Sequence, residues 1–210
     1  MNSKNIVILV SGHGSNLQAI LKAYEREQWP CKIAAVISNR PQSRALSIAK
    51  SIGIPVQVID HTQYAEREDF DAALAKTLDA LAVDYVILAG FMRILTASFV
   101  NKFYGRLVNI HPSLLPSFPG LATHRAALAA GVKVHGCTIH FVSAEVDSGP
   151  IIAQATVPVL SDDTEQTLAA RVLAQEHRLF PLVIKALVEN RIKLEQGRVR
   201  VEGIAPWVQL

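Results

Sequence analysis

Apolar positions along the chain fall into short unbroken runs separated by stretches of helical spacing. Ile6, Val7, Ile8, Leu9 and Val10 form one such run, bounded by a glycine-bearing turn, the pattern of a strand buried on both faces. Leu17, Ile20, Leu21 and Tyr24 then recur every three or four residues, which predicts a helix with Ser15 or Asn16 placed to cap it. Residues 33–37 predict a second strand, residues 44–52 a short helix stopped by Gly53 and Pro55, and residues 56–59 a third strand. Phe70, Leu74, Leu78 and Leu81 mark a longer amphipathic helix, followed by a fourth strand at 85–89 that ends at Gly90 and a fifth at 107–111. This β-α alternation predicts a parallel sheet wrapped by helices.

After Gly131 the rhythm changes. Residues 134–142 and 151–159 are two longer strand-like stretches joined through Asp147, Ser148 and Gly149, which predicts an antiparallel extension of the sheet. Residues 164–189 read as mostly one long helix, with Pro181 either kinking it or opening a second piece. A hairpin closes around Gln196 and Gly197 between residues 192–194 and 199–201. The expected fold class is α/β, a doubly wound and mostly parallel sheet with an antiparallel C-terminal extension. No repeat, linker or low-complexity tract divides the chain, so residues 1–210 are expected to form a single domain.

Composition narrows the function. Half of the 210 residues are apolar and 19% are charged, enough for a substantial core and against disorder. The net charge of +3 is small and the basic residues are scattered, so no basic stripe suggests a nucleic-acid partner. Apolar runs reach about five or six residues, against the roughly 20 needed to span a bilayer. The first strand follows Met1 so closely that no signal peptide is expected, and a cytoplasmic protein without a membrane partner is anticipated. Cys31 and Cys137 show neither metal spacing nor a repeat and are expected to be buried free thiols.

Two clusters carry candidate chemistry. Ser11-Gly12-His13-Gly14-Ser15-Asn16 joins the first strand to a helix, where glycines admit a close ligand and helix N–H groups favour an anion. Leu17 stands where a dinucleotide fingerprint would have its third glycine, and the terminal Lys and Ser/Thr of a P-loop are missing. A single phosphate fits best; a plain tight turn is the competing reading. Asn109 and His111, two apart on the fifth strand, face the same side at its carboxyl end, where open α/β sheets place ligand crevices. An amide and an imidazole there can stabilise an oxyanion and shuttle a proton, whereas a lone histidine is more often structural. Asp147 is either an ordinary turn aspartate or a carboxylate that stabilises the His111 imidazolium, and sequence alone does not bring them together. His13 and His124 are read as loop residues beside the crevice. His135 and His140 face opposite sides of one strand, so no shared metal site is expected. Met92-Arg93-Ile94-Leu95 reads as a helix entry or as an apolar ligand wall with one cation.

Asn109-Ile110-His111-Pro112-Ser113-Leu114-Leu115-Pro116, with Pro119-Gly120 and His124 after it, resembles the motif of the folate-dependent formyltransferases. Ala89-Gly90-Phe91-Met92-Arg93-Ile94-Leu95 and Asp147-Ser148-Gly149-Pro150-Ile151-Ile152-Ala153-Gln154 match the family in the expected order. The residue 11–17 turn is similar to that of the purine-pathway branch. The resemblance implies a Rossmann-like domain that moves a formyl group from 10-formyltetrahydrofolate, as co-substrate, to the amine of 5-phosphoribosylglycinamide. It implies His111 as proton shuttle, Asn109 as oxyanion stabiliser and Asp147 as the group that tunes His111. It further implies Gly14, Ser15 and Asn16 on the substrate phosphate and Glu176 on its ribose. Arg67, Met92, Arg93, Ile94, Leu95 and Asn109, with Ala144, Glu145, Val146 and Asp147, are implied at the folate. The N-terminal half would thus serve the phosphate and the C-terminal half the folate, with no metal, in a monomer or weak homodimer.

Two positions depart from the family pattern: His13 stands where relatives often carry a neutral polar residue, and Leu173 replaces a polar side chain one turn before Glu176. A formyltetrahydrofolate hydrolase, expected to carry an added N-terminal domain, and a non-catalytic mononucleotide-binding module are the alternatives. A tRNA-directed member would be expected to carry a basic C-terminal extension, which is not expected here.

Overall fold

A computed structural model describes residues 3–203 and 207–209. The expectations about the start at Met1 and the end at Leu210 lie outside the described residues. By its contacts the chain divides into two compact units, Met1–Asn109 and Ile110–Leu210, with the division inside one strand.

The first unit contains β1 (Lys4–Val10), α1 (Ser15–Glu27), β2 (Cys31–Ser38), α2 (Arg44–Ser51), β3 (Val56–Val58), α3 (Arg67–Ala80), β4 (Tyr85–Leu88), α4 (Ala97–Lys102) and the start of β5 (Leu107–His111). A 3-10 turn at His61–Gln63 lies between β3 and α3. The strands pair in the order β5-β4-β1-β2-β3, all parallel, as the alternation predicts. Because the chain steps outward from β1 to β3 and returns to β4 on the other side, right-handed crossovers put helices on both faces. The order reverses between β1 and β4, and such a switch opens a crevice at the strands' carboxyl ends. Ile6 through to Val10 are each 0% exposed, as an unbroken apolar central strand requires. β3 is only three residues long and largely exposed, which fits its place at the sheet edge.

The second unit contains α5 (Thr123–Ala130), β6 (Val134–Phe141), β7 (Ile151–Pro158), α6 (Glu165–Val188), β8 (Ile192–Glu195), β9 (Arg198–Val201) and β10 (Trp207–Gln209). β6 and β7 pair antiparallel, β10 lies parallel to β7, and β8–β9 is the expected hairpin. α6 is one helix that runs through Pro181, opened by a capping box in which Thr164 and Thr167 exchange side-chain to backbone bonds.

Several details differ from the sequence reading. Gly14, in the left-handed region at φ 80°, is the N-cap of α1 in place of Ser15 or Asn16, and it supplies no side-chain cap. α4, α5, β10 and the 3-10 turn escaped notice; each is short, and α5 is mostly alanine with no apolar period to read. His124 is accordingly a helical residue of α5.

The β6–β7 pair leaves no room for side chains at two glycines. A Cβ on Gly136 would run into the Ala155 carbonyl, and one on Gly149 into the Phe141 carbonyl. Gly136→Ala is therefore expected to destabilise the protein by about 3 kcal/mol or more, the upper range for overpacking against rigid backbone. Urea unfolding measures this; a change below about 1 kcal/mol would show that the strands separate freely.

Candidate active site

In the first unit a cleft of about 280 Å³ opens at the switch point, lined by residues 11–16 after β1, Arg40 after β2, and Ala89, Gly90 and Met92 after β4. None of these lining residues is acidic, and Arg40 is exposed at its border. The first N–H groups of an α-helix have no carbonyl within the helix to bond, and here the N-cap, Gly14, has no side chain to cap them. With the helix dipole, this favours a small anion at residues 14–16. Gly14 also answers a packing demand: a Cβ there would stand 2.8 Å from the Ala45 Cβ on α2, and φ is positive. Gly12 faces open space.

The cleft wall continues into a segment without regular structure. Met92 and Ile94 are 62% and 57% exposed, while Leu95 is buried at 7% and turns into the core. Arg93 lays its guanidinium over the Phe70 ring at 4.7 Å from the centroid. Arg67 is exposed at the first position of α3, and Asn109 pairs with Leu88 across β5 and β4.

In the second unit the fold brings His111 to Asp147. The His111 Nδ1 lies 3.3 Å from Asp147 Oδ2, with the two side chains 6% and 12% exposed. The His111 Nε2 lies 3.0 Å from the Phe118 carbonyl oxygen. Both ring nitrogens thus face oxygen acceptors: the neutral ring can donate to one, and the imidazolium to both. Asp147 sits at φ 52° in the turn after β6, and its Oδ2 also accepts the Gly120 N–H at 2.8 Å. Ala144, Glu145 and Val146 occupy the same turn and are exposed. Glu176 is buried on α6 at 6% exposure, and its charge helps push the Cys137 thiol up to about 12, a shift led by burial. Burial likewise lifts the Cys31 thiol to about 11, and both thiols are free.

Sequence reasoning missed three further histidine contacts. His140 places Nε2 3.8 Å from Asp147 Oδ1, and its Nδ1 donates to the Phe141 carbonyl at 2.9 Å. A register shift between Ile139 and His140 accompanies this arrangement. His135 is 1% exposed and packs edge-on to His124 with ring centroids 5.4 Å apart. Burial lowers the proton affinity of His140, against the pull of the Phe141 carbonyl and Asp147. Burial also lowers that of His124. For His135, burial and then His124 bring it down to about 4. His135 and His140 are both buried on β6, which a strand sequence alone does not reveal. Among the described residues no group of three or more His, Cys, Asp or Glu could hold a metal ion, and no helix is long and apolar enough to cross a membrane.

The formyl transferase family model matches residues 4–184. The chain belongs to the formyl transferase family. It is 45% identical to the phosphoribosylglycinamide formyltransferase of Escherichia coli strain K12, over 95% of this chain and 94% of that one. The crystal structure of glycinamide ribonucleotide transformylase 1 from Symbiobacterium toebii is similar at a TM-score of 0.90 and 48% identity, covering 95% and 94% of the two chains. A formyltetrahydrofolate deformylase from Pseudomonas syringae pv. tomato is similar at a TM-score of 0.87 and 28% identity, covering 95% of this chain and 66% of that one. Membership makes the chain an enzyme of a one-carbon transferase family.

The buried neutral histidines set an acid limit on stability. Unfolded His135 titrates near 6.5 and folded His135 near 4, so above 6.5 both states are neutral and stability does not respond. As pH falls from 6.5 towards 4 only the unfolded state takes the proton, at a cost of up to about 3 kcal/mol. Unfolding free energies measured across this window should fall with pH, and less steeply in His135→Phe. Parallel curves for the two proteins would show that His135 titrates normally.

Proposed function

We propose that the chain transfers the formyl group of 10-formyltetrahydrofolate to the amine of 5-phosphoribosylglycinamide, releasing the N-formyl product and tetrahydrofolate. The observation that carries this reading is the 45% identity, across nearly the full length, to a phosphoribosylglycinamide formyltransferase. In this reading residues 1–210 work as a single formyltransferase domain. The uncapped turn at Gly14, Ser15 and Asn16 holds the substrate phosphate and Glu176 its ribose. Arg67, Met92, Arg93, Ile94, Leu95 and Asn109, with the backbone of Ala144 through to Asp147, receive the folate.

The amine nitrogen attacks the formyl carbon, and the carbonyl oxygen becomes an oxyanion that the Asn109 amide stabilises. The attacking nitrogen must then lose a proton, and N10 of the folate must gain one before its bond to carbon breaks. His111 carries that proton between them. The Asp147 carboxylate at 3.3 Å holds the ring by Nδ1 and stabilises the imidazolium while it carries the proton. Nε2 is then the shuttling nitrogen, and substrate must displace the Phe118 carbonyl that it faces at 3.0 Å. An amine nucleophile needs neither a covalent bond to the enzyme nor a metal for this step.

The structural likeness to the deformylase favours one second reading, in which water replaces the amine. A spectroscopic assay with and without the ribotide separates the two. Folate release that requires the ribotide supports transfer, and release at the same rate without it establishes hydrolysis.

Asp147→Asn should lower kcat on the order of 10²–10⁴-fold with little change in either KM, the range expected for a disrupted acid–base group. A pH–rate profile identical to wild type would reduce Asp147 to a turn residue. Gly12→Val tests the phosphate turn, since Gly14→Val would test packing against Ala45 instead. It should raise the ribotide KM about tenfold or more, roughly 1.4 kcal/mol of binding, and leave the folate KM and Tm unchanged. An unchanged ribotide KM would move the phosphate elsewhere.

A further inference from the structure

Ser11 directly follows β1 and is 3% exposed, yet it is no core residue by chemistry. Its hydroxyl donates to the Asn39 side-chain Oδ1 at 2.6 Å and accepts the Met92 backbone N–H at 2.7 Å. Asn39, itself 1% exposed, is held in turn by His61, whose Nδ1 lies 2.7 Å from the Asn39 carbonyl oxygen. The hydroxyl therefore ties the ends of three strands together at the switch point. It is the first residue of the glycine turn and the anchor of the segment that begins at Met92.

That segment lacks regular secondary structure and depends on side chains to fix it. Its far end is pinned by Asp71, 3% exposed, whose Oδ2 accepts the Thr96 N–H at 2.7 Å. Its middle rests on Phe70 through Arg93. Ser11 is the pin that also belongs to the anion cleft. Removing its oxygen would take the partner from the part-buried Met92 N–H and from the buried Asn39 carboxamide oxygen, a demand no apolar residue can meet.

We propose that Ser11 is a positioning residue that couples the two ligand subsites, so that an anion at the glycine turn stiffens the Met92–Leu95 segment through the Ser11 hydroxyl. This rests on the proposed phosphate role of the turn. A bound anion orders the N–H groups of Gly14, Ser15 and Asn16, two to four residues beyond Gly12, which limits motion of Ser11, and the shared hydrogen bond passes that restriction to Met92. Phosphate occupancy thereby prepares the folate wall, and the coupling is reciprocal, as linkage requires.

The test is amide hydrogen exchange on the full chain, with and without inorganic phosphate, in wild type, Ser11→Ala and Ser11→Thr. Without phosphate, the Met92 amide should exchange at least about tenfold faster in Ser11→Ala, which lacks its acceptor, and at the wild-type rate in Ser11→Thr. With phosphate, exchange across residues 92–95 should slow severalfold in wild type and Ser11→Thr and stay unchanged in Ser11→Ala. The folate KM should rise about tenfold in Ser11→Ala with kcat within about twofold, a split that mere loss of stability would not produce. If the alanine variant does not fold, Ser11→Cys, whose thiol is a poor acceptor, takes its place. Equal slowing by phosphate in Ser11→Ala and wild type overturns the coupling, and so does a wild-type segment that ignores phosphate. A wild type that responds to phosphate yet transfers no formyl group overturns the functional reading and leaves the Ser11 coupling standing.

Discussion

Asp147 carries a carboxylate, 12% exposed, in the turn between β6 and β7, and a charge withdrawn that far from water must be met by donors. The Gly120 N–H supplies one at 2.8 Å, and the His111 and His140 rings stand at 3.3 Å and 3.8 Å. The position of the carboxylate follows from backbone constraints. Gly149 lies so close to Phe141 that only glycine fits, and Asp147 itself takes the left-handed region at φ 52°. Strand pairing thus determines the turn, the turn aims the carboxylate, and the carboxylate orients His111. Histidine is useful here because neither ring nitrogen is left facing a hydrocarbon wall.

The first unit applies a comparable economy at its switch point. Reversal of strand order between β1 and β4 opens the cleft, and the connection after β1 enters α1 through an N-cap glycine that brings no side chain. Gly14 satisfies packing against α2 and leaves the terminus open in the same step. Structural and ligand demands coincide at that residue, so its substitution reports on both. Gly12 separates them because nothing packs where its side chain would be.

The main architecture was legible because its elements are written in unbroken apolar runs. β1, β2 and β4 are buried on both faces and contain few polar residues to confuse the reading. Short elements fixed by tertiary context were not. α4 depends on its Thr96 cap, α5 is eight alanine-rich residues, and β10 exists by pairing with β7. At the candidate site, Asn109 and His111 could be read from their spacing on one strand. The contact of His111 with Asp147 could not, since it depends on how the β6–β7 turn folds back to the Gly120 backbone. Ser11 could be read as part of the glycine turn but not as the anchor of Met92, and Arg40 and His140 carried no signal of their roles, because an ordinary serine, arginine or histidine becomes informative only when its neighbours in space are known.

The account stands on His111 and Asp147 acting as one unit, and a double-mutant cycle on kcat tests that most directly. His111→Ala should lose at least as much activity as Asp147→Asn. The double variant should lose little beyond His111→Ala alone, because a carboxylate with no imidazole to orient has nothing left to contribute. Losses that add in full would mean that the two side chains, 3.3 Å apart, serve the reaction independently, and that the carboxylate does not work through the ring.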